Sequence, residues 1–312
     1  PDGSRIASAA TGKAISVWPV DDLSTPIVLE GNDDEVTSIA KNSTGTRVMA
    51  LAGEERIYVW DVDDFNTPIE LKGHDDEVTA VTWSPDGTWI SAASEDETYV
   101  WKPDEPFEPV VLQGHTGDVT KLAWSPGGSR ILTASNDGTA RIWKPDGSSR
   151  PIVLKGHRDD VTDISWSPDG TQIVTASEDE TARIWSGDDW QESTVLGKHE
   201  DEVFAAIWNP DGSRIATASD DGIVLLWNAD GSGKPFVLND GIRYLSKVAW
   251  SPDGKHILTA SLMNDFTLQV DNLDAPRVWK VDEPGKPIIL AGHDYNIVDV
   301  AWNADGTRIA AI

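Results

Sequence analysis

The chain has no cysteine among its 312 residues, which excludes disulfide staples and thiolate metal sites. Basic residues are scarce: 25 lysines and arginines stand against 53 aspartates and glutamates, a formal charge of −28. A field of that sign repels phosphate backbones and anionic lipid surfaces, so neither nucleic acid nor a membrane is expected as a partner. No apolar run approaches the roughly 18 to 20 residues that a membrane-spanning helix needs. The opening residues, Pro1 to Arg5, lack the charged-then-apolar order of a secretion signal, and a cytoplasmic location is expected. The chain starts on Pro1 and stops at Ile312 just after a strand pattern, which reads as one domain, 1–312, cut from a longer protein.

Tryptophan, by contrast, is abundant, and it is periodic. Tryptophans that close a short alternating run fall at Trp18, Trp60, Trp101, Trp143, Trp185, Trp227 and Trp279, at intervals of 42, 41, 42, 42, 42 and 52 residues. A fixed period in that range means a repeat architecture. Within residues 151–185, apolar runs at 151–154, 161–166, 172–176 and 182–185 read as strands. Gly156-His157, Ser167-Pro168-Asp169-Gly170 and Glu178-Asp179-Glu180 separate them, and all three are turn chemistry. Four strands joined by hairpins make an antiparallel sheet without a helix.

Gly-His at the opening, Ser-Pro-Asp-Gly in the middle, Ser-x-Asp-x-Thr and the closing Trp together resemble the WD-repeat (WD40) family, and the resemblance covers essentially the whole chain. It implies an all-β, seven-bladed β-propeller of four-stranded antiparallel blades. Only Trp60-Asp61 shows the literal Trp-Asp pair. Labelled from Gly-His onward, the first, third and fourth strands each number seven along the chain. The second strand occurs eight times, because residues 4–9 and 307–312 are the same element twice. The ring is therefore expected to be closed by both termini, one blade drawing strands from each end. Near-identical units at 114–145 and 156–187, with linkers such as 230–235, look similar to bacterial WD-repeat domains appended to serine/threonine kinases or signalling ATPases. Neither a kinase nor an ATPase motif is present.

Histidine, serine and aspartate of one repeat would supply a nucleophile, a base and an orienting acid. The set recurs, however, as His74, Ser94, Asp96, Trp101; as His115, Ser135, Asp137, Trp143; as His157, Ser177, Asp179, Trp185; and as His199, Ser219, Asp221, Trp227. Equal copies suit a buried structural network better than an active site, and the resemblance assigns the tetrads that role. No catalytic residue, metal site or cofactor is expected. The histidines sit one per repeat without zinc spacing, and the acidic turns lack the order of a calcium loop. A second tryptophan series, including Trp83, Trp124 and Trp166, reads as packing between blades. Trp89 and Trp190 fall outside the pattern as candidate surface contacts. Acidic runs line both sets of connections and read first as solvation, second as a field attracting a basic peptide.

The irregular blades are the informative ones. Asp240-Gly241 replaces Gly-His, and the segment between Ser261 and Trp279 is ten residues longer than its counterpart between Ser177 and Trp185. The insert places Met263, Phe266 and Leu268 as candidate anchors for a partner, with Asp240, Asp265 and Asp294 steering it. The expected function is a non-catalytic scaffold or sensor, a monomeric domain that binds a protein or peptide. The alternatives are a propeller-type enzyme with a channel site, or a structural repeat without a ligand of its own.

Overall fold

Runs rich in Val, Ile, Thr and Trp, punctuated by Pro, Asp and Gly, form antiparallel strands throughout, and no helix occurs among the described residues. The computed structural model describes residues 5–9, 15–19, 21, 24–29, 36–53, 55–74, 77–187, 189–239, 245–261, 275–283, 285–292, 297 and 299–311, with 5–9, 19, 65 and 66 as backbone. Six four-stranded sheets span residues 36–71, 78–112, 119–155, 161–198, 203–238 and 245–289. Residues 5–29 add a three-stranded sheet and residues 300–311 a two-stranded one. Each copy of the duplicated strand pairs with its own sequence neighbour, Arg5–Ala9 with Ile15–Pro19 and Ile309–Ala311 with Val300–Trp302.

Every four-stranded sheet runs in simple meander order. In the 161–198 sheet, Val161–Trp166 pairs with Ile173–Ser177, then come Thr181–Ser186 and Glu192–Lys198. The strand Ile152–Lys155 closes the preceding sheet, so residues 151–185 do not form one sheet, as their sequence suggested; they supply strands to two. A bulge recurs at the start of each first strand, between Val36 and Ser38, Val78 and Ala80, Val119 and Lys121, Val161 and Asp163, Val203 and Ala205, and Leu245 and Lys247. The extra residue re-aims a side chain. Thr79 Oγ1 donates to the Val119 carbonyl at 3.4 Å, and Asp163 Oδ2 accepts the Ala206 N–H at 3.0 Å, each reaching the first strand of the next sheet.

The chain divides into two compact units, residues 1–137 with 141–153, and residues 138–140 with 154–312. In both, successive sheets pack face to face. Second strands such as Ile90–Ser94 and Ile173–Ser177 are buried at every residue, so alternation gives way to small and β-branched side chains. Burying an isoleucine such as Ile173 stabilises by roughly 1.5 to 3 kcal/mol relative to exposing it. In the first unit Met49, Ile57, Trp83, Ile90 and Trp101 join two neighbouring sheets in one cluster. In the second, Val174, Ile184, Trp208, Ile215 and Trp227 do the same. Trp124 Nε1–H donates to Ser91 Oγ at 2.9 Å, so the tryptophan that ends a first strand packs and bonds across to the preceding sheet.

Trp190 needs a correction, because it is no surface contact. It is buried, holds φ at 58°, and meets Trp166 edge to face with centroids 5.4 Å apart. The left-handed backbone there turns a large aromatic inward. Trp89 is half-buried beneath Lys102 Nζ, 5.5 Å from the ring.

Fourth strands are sheet edges of unequal length. Asp64–Leu71 and Glu105–Leu112 have eight residues each, the first containing Pro68 and the second Pro106 and Pro109. Glu192–Lys198 has seven residues and no proline, and the rest have two to four.

Candidate functional site

Three repeats build the same buried polar chain. In the 161–198 sheet, Trp185 Nε1–H donates to Thr175 Oγ1 at 2.9 Å, and Thr175 Oγ1 lies 2.7 Å from His157 Nε2. His157 Nδ1 lies 3.0 Å from Asp179 Oδ2, which also accepts the Arg158 N–H at 3.0 Å. The 119–155 sheet repeats this through Trp143, Thr133, His115 and Asp137, at 2.9, 2.7 and 2.9 Å. The 203–238 sheet does so through Trp227, Thr217, His199 and Asp221, at 2.9, 2.9 and 3.1 Å.

Local structure explains each placement. The Asp side chain sits in the turn between second and third strands, and its histidine partner lies one residue after a glycine at His115 and His157 and two after it at His199. A Cβ on Gly156 would come within 2.9 Å of Arg183 Nη1 and 3.3 Å of Trp185, so a larger residue would press on the tryptophan and displace the arginine tip. Gly197 is tighter still, with φ at 142° and Trp227 2.5 Å from the Cβ it lacks.

One proton arrangement satisfies every atom. The indole donates to the threonine oxygen, the threonine hydroxyl donates to Nε2, and Nδ1–H donates to the carboxylate. The imidazole is therefore neutral. Burial pushes His115, His157 and His199 below the usual histidine range, and this outweighs the nearby carboxylate, which pulls the other way. At Asp179 burial raises the carboxyl, but hydrogen bonds from Thr181, the Arg158 N–H and His157 outweigh it and leave it low.

The network as the sequence suggested it requires two corrections. The hydroxyl between histidine and tryptophan belongs to Thr133, Thr175 and Thr217, which the four-residue sets left out, while Ser135, Ser177 and Ser219 serve the loop end of the network. Each serine instead donates to a loop carbonyl, Gly117, Asp159 or Asp201, and accepts the N–H of the aspartate. The threonine was visible as a Thr-Ala-Ser triplet at 133–135, 175–177, 217–219 and 259–261. In the last of these, Trp279 still donates to Thr259 at 3.1 Å.

The second correction is that His74, Ser94, Asp96 and Trp101 do not assemble. Ala92 stands where the threonine would be, and Ser94 lies seven residues before Trp101 instead of the eight between Ser177 and Trp185. The short turn leaves Asp96 exposed, with Glu95 at φ 45°. His74 Nε2 turns to the Glu55 carbonyl at 2.6 Å, and Trp101 donates to the Lys72 carbonyl at 2.9 Å. His74 Nδ1, Ser94 Oγ and Thr98 Oγ1 are buried without a partner. The missing residue was legible in the single 41-residue tryptophan interval.

Asp240, Met263, Asp265, Phe266, Leu268 and Asp294 lie outside the described residues. Beside the second unit's networks, burial pushes the Glu178 carboxyl up, and the charges of Glu202, Asp160 and Asp159 add to the shift. Asp160 and Asp220 are raised the same way, by burial and by neighbouring carboxylates. Among the described residues no group of three or more acidic or histidine side chains has the geometry to hold a metal ion.

The three histidines set an acid limit. Each binds its proton less well folded than unfolded, so the unfolded chain holds more protons from about 6.5 down to the folded value. Their stabilisation is complete above about pH 6.5 and is lost as pH falls below it. Asp179, held low, adds a loss in the same direction at lower pH. The urea midpoint is expected to drop from pH 7 to 5, with the three imidazoles titrating below the usual histidine range by NMR. A flat midpoint, or imidazoles titrating at 6.5 or above, contradicts the neutral chain.

Four successive segments, residues 66–101, 108–144, 149–186 and 190–228, match the family described as WD domain, G-beta repeat. Each begins in or near the edge strand of one sheet and ends at or near the third-strand tryptophan of the next, the same offset seen for residues 151–185. A comparison with curated proteins gives no match.

Proposed function

Because the chain carries WD repeats in tandem over residues 66–228, we propose that it is a non-catalytic scaffold or sensor domain that binds a protein or peptide. Repeats of this kind commonly form protein-interaction scaffolds. The observation that carries the reading is the use of the chemistry-bearing side chains: His115, His157 and His199 spend both ring nitrogens on buried partners. They hold loops, and no nucleophile or base is left facing solvent there.

The reading extends to a monomeric, cytoplasmic domain, closed as a seven-bladed ring in which 300–311 and 5–29 complete one blade. It also extends to a parent protein similar to bacterial kinases or signalling ATPases with appended propellers. Support for the ring comes from the strand count and from the duplicated element at each end. The partner is a basic peptide, drawn by the carboxylates around Glu178, Glu202 and Asp160, whose mutual repulsion a cation relieves. Met263, Phe266 and Leu268 anchor it, and Asp240, Asp265 and Asp294 steer it.

Affinity capture with the intact domain tests the reading, run beside a variant in which residues 262–271 are shortened to a tight turn. The variant is expected to keep its melting temperature and lose the captured partner at least tenfold, a loss of about 1.4 kcal/mol. Raising salt should mainly slow association. A partner that binds both forms equally sinks the insert as the site.

A further inference from the structure

One sheet of the first unit is fastened differently from those that carry the buried chain. In the 119–155, 161–198 and 203–238 sheets, the turn between second and third strands is tied to the loop that enters the sheet. The Asn136, Glu178 and Asp220 N–H groups donate to the Asp118, Asp160 and Glu202 carbonyls at 3.0 Å. Ser135, Ser177 and Ser219 donate to the Gly117, Asp159 and Asp201 carbonyls, and the loop histidine meets the aspartate of the turn. In the 78–112 sheet none of these ties occurs among the described residues. Its Ser94-Glu95-Asp96-Glu97-Thr98 has the same sequence as residues 177–181, so the residue types are present and the spacing to Trp101 is one residue short.

The bonds that remain lead to the neighbouring sheets. His74 Nε2–H donates to the Glu55 carbonyl at 2.6 Å, in the turn of the preceding sheet. The Glu95 carbonyl accepts the Val119 N–H at 2.6 Å, from the first strand of the following one. Within the sheet, Trp101 donates to the Lys72 carbonyl at 2.9 Å, and Glu97 accepts the Tyr99 hydroxyl and the Gln113 side-chain amide. These bonds hold the loop and the turn separately, and none joins one to the other. With its proton on Nε2, His74 presents Nδ1 as a bare acceptor, and both Nδ1 and Ser94 Oγ are buried without a partner. A buried polar group left unpaired is costly, and hydration on local opening removes that cost.

We propose that loop 72–74 and turn 94–97 part and reclose under native conditions, the loop staying with the 36–71 sheet and the turn with the strand that starts at Val119. Parting there breaks no hydrogen bond between the two, and it lets water reach His74 Nδ1 and Ser94 Oγ. In the three sheets with the buried chain, the same motion breaks the backbone, serine and histidine ties together, so those turns stay closed. Trp101, bonded to the Lys72 carbonyl, is the fixed end from which the gap widens. One sheet thus carries a local opening where its sequence relatives carry a latch. The opening needs no binding partner, so it stands independently of the scaffold reading.

The absence of cysteine gives the test a silent background. Ser94→Cys and Ser177→Cys each place one thiol at a buried position, 2% and 0% exposed in the parent. With iodoacetamide on the full chain under native conditions, Ser94→Cys is expected to react more than about tenfold faster, the ratio for at least one hydrogen bond fewer to break on opening. Ser177→Cys itself forfeits the bond to the Asp159 carbonyl, which works against that order and makes the comparison stringent. In the unsubstituted chain, the ladder amides of Ala93 and Ser94 should exchange hydrogen faster than those of Ala176 and Ser177. Ala92→Thr with an alanine inserted after Thr98 restores the hydroxyl and the eight-residue spacing. It should slow labelling of Ser94→Cys to the rate of Ser177→Cys. Labelling no faster at 94 than at 177, or equal exchange protection of the two pairs of amides, overturns the proposal. If a cysteine variant does not fold, the exchange comparison decides alone.

Discussion

Thr175→Ala is expected to destabilise the protein by about 2 to 4 kcal/mol, although it removes only a hydroxyl and a methyl group. The hydroxyl oxygen is at once the acceptor for Trp185 and the neighbour of His157 Nε2. Its removal leaves two buried polar groups unpaired, each costing about 1 to 3 kcal/mol. Asp179→Ala acts on the other end of the chain, orphaning the His157 and Arg158 donors, and is expected to cost on the order of 1 to 3 kcal/mol. Urea melts of the single variants and the pair check both. Because the residues share one network, the double variant should cost less than the sum. Stability equal to the parent for either single variant would remove the structural assignment. His157→Ala should likewise lower the midpoint without abolishing binding.

Deleting residues 292–312 is expected to have the larger effect in kind, giving a protein that aggregates or unfolds over a broader range than the parent. The deletion takes Ile297 and Val300 away from Leu258, Ala260 and Val278, with which they form one buried cluster. It also releases Lys247 from Asp299, 3.0 Å away. The apolar surface of that cluster is then exposed, and exposed apolar surface promotes association. Removing 307–312 alone should matter much less, since it leaves Ile297 and Val300 in that cluster. Size-exclusion chromatography and the slope of the urea transition distinguish the outcomes. A 292–312 deletion that stays soluble with an unchanged slope means that the fold does not depend on its C-terminal strands.

The strands of this fold were legible because each one is bounded by residues with a fixed conformational preference. Val161–Trp166 lies between the acidic loop and Ser-Pro-Asp-Gly, and it forms with those limits. The bulge inside it was not legible, because Thr162 and Asp163 look like any alternating pair. Only the neighbouring sheet gives them their use: Thr162 Oγ1 donates to the Val203 carbonyl and Asp163 Oδ2 accepts the Ala206 N–H. The threonine of the buried chain was legible and overlooked: Thr175 stands in a run of strand-forming residues, where a hydroxyl reads as propensity before chemistry. The dismantled network at His74 shows the limit of reading by residue type. All four types are present, but one deleted residue in the turn and one alanine at position 92 remove the geometry.

The prolines in the two longest edge strands bear on how this molecule behaves when crowded. Pro68, Pro106 and Pro109 withhold N–H groups that an incoming chain would need, so neither eight-residue edge can seed a cross-β stack. The other short edges offer too few rungs. Glu192–Lys198, seven residues long and free of proline, is the described edge most able to recruit a foreign strand, with Glu192 and Lys198 at its ends as its remaining guards. A molecule that keeps its ladders closed in this way tolerates concentration through its backbone as well as through its charge.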